Sequence, residues 1–202
     1  LSKAKKGGES LLVSSMTIFN KILENHPEHL ATLFEPFPLD RRGEEGGNQK
    51  VYSMTPVYSE KNGKISSYFL RQYLESSKRF EGVVITDKQR AALDIVDKYA
   101  NDEKLYMRMT FEPGDIQVIY NHTLFHDRMS YEDFEDENKK RHLLRLWISA
   151  FNDRELSEKY EDRWGSIEIG QRGGVFDQNL DINIPLEAVS YTHLTLPTTI
   201  EV

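Results

Sequence analysis

The sequence predicts an α+β domain built on antiparallel sheet, and three observations predict it. Apolar residues recur at helical spacing in two stretches, Met16, Phe19, Leu23, His26, Leu30, Leu33 and then Ala92, Ile95, Val96, Tyr99. Asn62-Gly63 stands between two apolar runs, the signal of a tight hairpin. Leu105, Met107, Met109 and Phe111 alternate with Tyr106, Arg108 and Thr110, the period of a half-buried strand. Strands at both ends thus enclose a mostly helical middle.

In chain order, Lys3 to Lys6 make a short solvated basic run, and Gly7-Gly8 a turn. Residues 9–13 follow as a strand. Ser14 and Ser15 are good caps for a helical stretch expected over residues 15–34. Pro27 falls inside that stretch and suits the first turn of a second helix better than the middle of one. The stripe on this stretch reads as core packing. Residues 36–48 are a charged, glycine-rich loop. The hairpin comes next, then a helix over residues 67–78. Thr86 with Gln89 three residues on forms a capping box that opens a helix running to residue 100.

At 202 residues the chain suits one domain with a real core. A net charge of -7 argues against a nucleic-acid surface, which needs clustered cations. No apolar run approaches the ~18 residues of a membrane span, so a membrane partner is not expected. The chain has no cysteine, which leaves no disulfide and no thiolate metal site and makes the cytoplasm the default location. A homo-oligomer is left open.

Residues 111–151 organise the rest. Pro113-Gly114-Asp115 marks a turn, and residues 116–120 read as a buried strand that delivers Asn121, His122 and His126 to its far end. An acidic loop follows, and a second apolar strand, residues 143–150, begins behind Arg141 and His142 and carries Arg145. Histidines and arginines brought together by two strands suit an anion-holding metal site, with imidazole as ligand and guanidinium gripping a carboxylate.

The pattern Gly114-Asp115, Asn121, His126-x-Arg128, then Arg141-His142-Leu143-x-Arg145, together with Gly7-Gly8-Glu9-Ser10, resembles the taurine dioxygenase-like (TauD/TfdA) family of iron(II)- and 2-oxoglutarate-dependent dioxygenases. The resemblance implies a double-stranded β-helix, or jelly roll, with a helical insertion between Ser14 and Ala100. It also implies that His126 is a ligand of Fe(II), that Arg141 and Ser10 hold the distal carboxylate of the co-substrate 2-oxoglutarate, and that Arg145 lies near a small, acidic primary substrate. Asn121 and Arg128 fit the pattern as braces of the metal loop or cofactor contacts; His122, four residues before His126 and on the same strand face, reads as a core residue or a support behind the metal ligand and not as a ligand. Tyr68, Arg71 and Tyr73 either reach the substrate or pack.

The family's other two ligands come as His-x-Asp/Glu ahead of the Gly-Gly element, and residues 1–6 contain neither histidine nor acid. His26-Pro27-Glu28 has the spacing but lies in the wrong place, and a proline-started turn explains it. Residues 1–188 are therefore expected to be the C-terminal part of one such domain. Residues 189–202 contain Tyr191-Thr192-His193-Leu194-Thr195-Leu196-Pro197, which resembles a translated sequencing adapter, and are expected to be a non-native tail.

The alternative reading is a catalytically silent jelly-roll binding module that keeps an anion pocket without iron. A zinc hydrolase is disfavoured, because no second histidine has clear metal-site spacing. The plain alternative for Arg141 and Arg145 is a pair of surface salt bridges to the acidic loop.

Overall fold

The computed structural model describes residues 3–43, 49–170 and 172, so the expected tail, residues 189–202, and the end of the domain at 188 lie outside the described residues. β1 (Lys6–Gly7) and β2 (Ser10–Ser14) lead directly into α1 (Ser15–Asn25). The Ser14 side chain accepts the Thr17 backbone N–H at 3.2 Å, satisfying one of the open donors of the first turn. Pro27 opens a short 3₁₀ turn, Pro27–His29, that runs into α2 (Leu30–Leu33), so the proline starts a second helical piece as its missing N–H requires.

β3 (Phe37–Asp40) pairs antiparallel with β4 (Tyr52–Thr55). β5 (Tyr58–Lys61) and β6 (Lys64–Ser67) form the hairpin signalled by Asn62-Gly63. Both turn residues have positive φ, 51° at Asn62 and 74° at Gly63, the backbone of a twisted two-residue turn. After α3 (Arg71–Ser76) comes α4 (Asp87–Ala100), which begins with the Thr86/Gln89 capping box, both reciprocal hydrogen bonds present. β7 (Met107–Met109), β8 (Leu124–Arg128), β9 (Tyr131–Glu132) and the short α5 (Glu161–Trp164) complete the order.

The largest described sheet has three strands in the order β7-β2-β8, all antiparallel, and the other strands pair in twos: β1-β9, β3-β4 and β5-β6. The α+β class with antiparallel pairing is what the sequence predicts. The described strands do not assemble into a double-stranded β-helix. Two expected strands are also absent: residues 116–120 and 143–150 form no regular secondary structure and have no ladder partners among the described residues. Ile116, Val118, Leu144 and Ile148 are consequently exposed, at 89%, 89%, 73% and 82%. Both runs carry the composition of a strand. A ladder also needs a neighbour, and the composition of a run does not supply one.

The core gathers α1, α2 and α4 against β3, β5 and the inner face of β2. On α4, Ala92, Leu93 and Val96 are fully buried. On α1 the buried pair is Ile18 and Ile22. Met16 and Phe19 pack only in part, and Leu23 stays half exposed. The stripe expected through Met16, Phe19 and Leu23 is thus rotated. This helix is apolar over more than one i, i+4 row, and contact with α4 selects the row that is buried. Met107, expected on the buried side of its strand, is likewise 61% exposed.

Candidate active site

The site is built on the central strand of the three-stranded sheet. In the β2-β8 register Ser10 stands opposite Arg128 and Leu12 opposite His126. Opposed residues of an antiparallel pair point to one face, and every second residue shares it. Ser10, His126 and Arg128 therefore occupy one face. Val13 and Phe125, opposed in the same ladder, turn to the other face and join the core.

Backbone bonds fix the approach to β8. Ser15 donates its backbone N–H to Thr123 O at 2.9 Å, and Ser67 donates both its N–H, at 2.9 Å, and its hydroxyl, at 3.1 Å, to His122 O. Asn121 sits in the turn that precedes the strand.

The Gly7-Gly8 element closes this face. Met129 N–H donates to Glu9 O and Gly8 N–H to Ser130 O, so the chain after β8 runs tightly beside the glycines. A Cβ on Gly7 would stand 2.3 Å from the Ser130 carbonyl oxygen, and Gly7 has φ +73°. A Cβ on Gly8 would stand 3.2 Å from Arg141 Nε and 3.3 Å from Tyr131 Cβ. The glycines are thus required by close approach as much as by turning. Gly7→Ala is expected to lower unfolding free energy by about 1–3 kcal/mol, from backbone strain and a forced strand shift, read as a lower urea midpoint.

Arg141 comes to rest against Gly8, with its Cζ 5.5 Å from the centre of the Tyr131 ring. Arg128 stacks on the same ring at 4.2 Å. Burial lowers the basicity of Arg141, the Arg128 charge lowers it further, and Tyr131 and Asp133 work against both. Arg145 is an exposed residue whose surroundings still cost its charge solvation. Its basicity is lowered first by that and then by the charges of Arg141 and Arg128. His126 is held below its ordinary value, first by loss of solvation and then by Arg145, with Asp127 opposing. A neutral imidazole with a free lone pair is the form that binds metal. His126, Arg128, Arg141 and Arg145 thus act on one another electrostatically as one cationic neighbourhood.

The acidic loop does not neutralise it. Glu132 pairs with Lys5 at 3.0 Å, Asp136 with Lys139 at 3.5 Å, and Glu137 with Lys140. Asp133 spends its carboxylate on the Arg141 backbone N–H at 2.8 Å, not on the guanidinium. Among the described residues no carboxylate forms an ion pair with the guanidinium of Arg128, Arg141 or Arg145. The surface salt-bridge alternative for Arg141 and Arg145 therefore does not hold there.

A cleft of about 210 Å³ opens beside Arg141, lined by Lys3, Lys6, Gly8, Thr110 and His142 among others. Ser10 and His126 do not line it, so this is not one cavity shared by Ser10, His126 and Arg141. Ser10 is buried, and among the described residues its hydroxyl bonds only to Gln117 Oε1, at 3.5 Å. That contact sits at the long limit of a hydrogen bond and is easily exchanged.

His122 belongs to a different cluster. Its Nε2 lies 3.2 Å from Asp153 Oδ2, while Tyr120 donates its hydroxyl to Asp153 Oδ1 at 2.5 Å. Arg154 donates to the Tyr120 hydroxyl at 2.9 Å and to Ile65 O at 2.8 Å. The cluster ties the turn before β8 to the hairpin. Arg71 is taken up in ion pairs with Glu75, Asp94 and Asp97, while Tyr73 packs in the core and Tyr68 packs on Trp164. His26 and Glu28 approach only to 3.9 Å.

Among the described residues no three His, Asp or Glu side chains gather as a metal-holding group. One imidazole, His126, does not fit an iron site by itself, since a divalent ion needs further ligands and negative charge to displace water. The free guanidiniums and the Ser10 hydroxyl do fit the carboxylates of a keto acid. Sequence reasoning missed Tyr131 and Asp153. The only signal for Tyr131 was its place three residues after Arg128, and for Asp153 there was none.

The taurine catabolism dioxygenase TauD, TfdA family model matches residues 1–147. The chain is 34% identical over 169 residues to FR-33289 synthase of Streptomyces rubellomurinus, covering 82% of this chain and 50% of that protein. It is 33% identical to the taurine hydroxylase-like protein SAT17 of Stachybotrys chartarum, over 72% of this chain and 37% of the relative. It is 28% identical to the uridine-5'-phosphate dioxygenase of an Amycolatopsis species, over 70% of this chain and 50% of the relative. The chain thus spans half or less of the length of these curated relatives. With its Gly-Gly element, its His-x-Arg strand and its Arg-x-x-x-Arg segment in one neighbourhood, this chain belongs to the TauD/TfdA dioxygenase family.

Proposed function

We propose that this chain forms part of an Fe(II)- and 2-oxoglutarate-dependent dioxygenase that hydroxylates a small organic substrate carrying an acidic group, within a jelly-roll domain larger than the described strands. The observation that carries the reading is the set of guanidiniums without carboxylate partners beside His126. Arg141 is half-buried and stands among like charges, and an anionic ligand offsets both the lost solvation and the repulsion. When bound, 2-oxoglutarate supplies the electrons for oxygen activation and leaves as succinate and carbon dioxide.

This chain's residues bind and orient. Arg141 takes the distal carboxylate of 2-oxoglutarate through two parallel N–H bonds. The Ser10 hydroxyl turns from Gln117 to donate to the same group. His126, neutral, offers one ligand nitrogen. Arg145 stands next to His126 in charge, a suitable place to hold an acidic substrate near the metal. Iron would take its remaining protein ligands from outside the described residues, which supply one only.

That single ligand also favours the second reading, a binding module that keeps the anion site without iron. Fe(II) titration under anaerobic conditions, with and without 2-oxoglutarate, separates the two. The 202-residue chain alone is expected to retain no iron and to release no succinate above a metal-free control. Joined to the remaining part of a full-length relative, it is expected to bind iron and release succinate, and His126→Ala to abolish both. A joined protein that binds 2-oxoglutarate but no iron supports the binding module. One that binds neither overturns both readings.

A further inference from the structure

Arg145 acts on His126 through its charge, yet the two side chains come from differently held segments. His126 lies in β8, which the ladder with β2 fixes. Arg145 lies in residues 143–150, which no described ladder holds. The place of that segment is therefore set at its ends. At the near end Asp133 accepts the Arg141 backbone N–H at 2.8 Å. At the far end the Asp153 backbone N–H donates to Ala150 O at 3.3 Å, and the Asp153 side chain is only 9% exposed.

That carboxylate reaches back to the turn from which β8 starts. Tyr120 donates its hydroxyl to Oδ1 at 2.5 Å, and the His122 ring nitrogen stands 3.2 Å from Oδ2. The two rings meet edge to face at 5.3 Å, so one acid grips two side chains already packed together. The backbone of the turn is held independently. Thr123 N–H donates to Tyr120 O at 3.1 Å, and Ser67 donates twice to His122 O. The turn is thus the fixed partner, and the grip places the 143–150 segment against it. Arg172 steadies the acid from a third side at 3.3 Å.

We infer that Asp153 is a positioning residue, which by clasping Tyr120 and His122 holds the segment carrying Arg145 against the strand carrying His126. Two acceptor oxygens on one carboxylate fix distance and plane together, as a single bond does not. Without the clasp the far end is tied next through Arg154, whose longer side chain reaches Tyr120 and Ile65 O, and Arg145 gains freedom relative to His126. Asp153 itself touches neither keto acid nor substrate. The geometry stands by itself; its consequence for binding rests on the reading of Arg145 as the residue that holds an acidic group.

The chain has no cysteine, so Leu144→Cys, at an exposed position beside Arg145, carries a single nitroxide label. The label broadens the NMR amide signals of nearby residues, and β8 is expected to be broadened in the otherwise wild-type chain. Asp153→Asn, which keeps one of the two acceptors, is expected to lose most of that broadening at His126, and Tyr120→Phe a smaller share. Amide exchange in α4 should stay as in wild type, which shows that the body remains folded. Tyr120→Phe decides the matter if Asp153→Asn does not fold. Succinate titration of the unlabelled, metal-free chain reads the consequence. Arg145→Gln is expected to weaken binding roughly tenfold with Asp153 present and by little in the Asp153→Asn background, because the two changes are coupled.

If the broadening of β8 is the same in wild type, Asp153→Asn and Tyr120→Phe, Asp153 only stabilises the fold and the clasp is wrong. Absence of broadening at β8 in wild type overturns it as well. If the broadening follows Asp153 but Arg145→Gln binds succinate as wild type does, the clasp stands and the acid-holding reading of Arg145 falls.

Discussion

Arg141→Gln is expected to raise the dissociation constant for 2-oxoglutarate by roughly thirtyfold or more, the largest binding effect of any single change in this site. Truncating one member of a hydrogen-bonded charge pair costs about 2–5 kcal/mol, because the partner's charge is left desolvated and unpaired. Arg141 can have that effect because no described carboxylate pairs with its guanidinium, which rests over the Tyr131 ring, and Asp133 takes only its backbone N–H. The free protein is not expected to suffer. Removing the charge relieves its repulsion with Arg128 and Arg145, so the urea midpoint should be unchanged or slightly higher. In an assembled enzyme the change should appear mainly as a higher 2-oxoglutarate requirement, with turnover at saturation less affected. Equal affinity in wild type and Arg141→Gln would remove Arg141 from the cofactor site.

Asp153→Ala is expected to destabilise the fold by about 3 kcal/mol, measured as a loss of unfolding free energy in urea. Its carboxylate is the common acceptor for the Tyr120 hydroxyl, the His122 ring and Arg172, whose Nη2 lies 3.3 Å away. Arg172 is 7% exposed and its Nε and Nη1 have no hydrogen-bond partner among the described residues, so deleting the acid leaves a buried cation worse off still. Asn at the same position keeps one acceptor and should recover part of the loss.

The cluster also predicts how stability changes with pH. Burial holds His122 below its ordinary value despite the Asp153 charge. The unfolded chain therefore binds a proton more readily than the folded one, and stability is fully present above the unfolded value of ~6.5. It falls as pH drops below that value. Asp153 is also depressed: its burial pushes upward, and the bonds from Tyr120, Arg154, His122 and Arg172 outweigh it. Its contribution is present above ~3.9 and is lost as pH falls further through its folded value. Stability should decline in two stages on acidification, and His122→Asn should shrink the first, to which His126, also held low, contributes the rest. A urea midpoint that rises between pH 7 and pH 5 would contradict this assignment.

How much of this was legible in the sequence depended on the range of the interaction. Ser14, the Thr86/Gln89 box, Pro27 and Asn62-Gly63 each act within four residues, and each does in the structure what its spacing predicts. The α+β class followed from the same periodicities. The Gly-Gly, His-x-Arg and Arg-x-x-x-Arg elements were legible as a family pattern because residue types in fixed order survive without coordinates.

Which face α1 buries, which extended runs find partners and which acids reach which arginines were not legible. The apolar rows of α1 are nearly equivalent locally, and contact with α4 chose Ile18 and Ile22. Residues 116–120 and 143–150 have strand composition, but their hydrogen-bonding edges meet no described neighbour. By itself, then, the sequence determined the helix starts, the hairpin turn, the class and the candidate residues, because backbone sterics and capping bonds are settled between near neighbours. Only the tertiary structure decided that the loop acids pair elsewhere and leave Arg128 and Arg141 facing one tyrosine ring. Charge pairing and ring stacking depend on distances between residues far apart in the chain, and folding alone sets those distances.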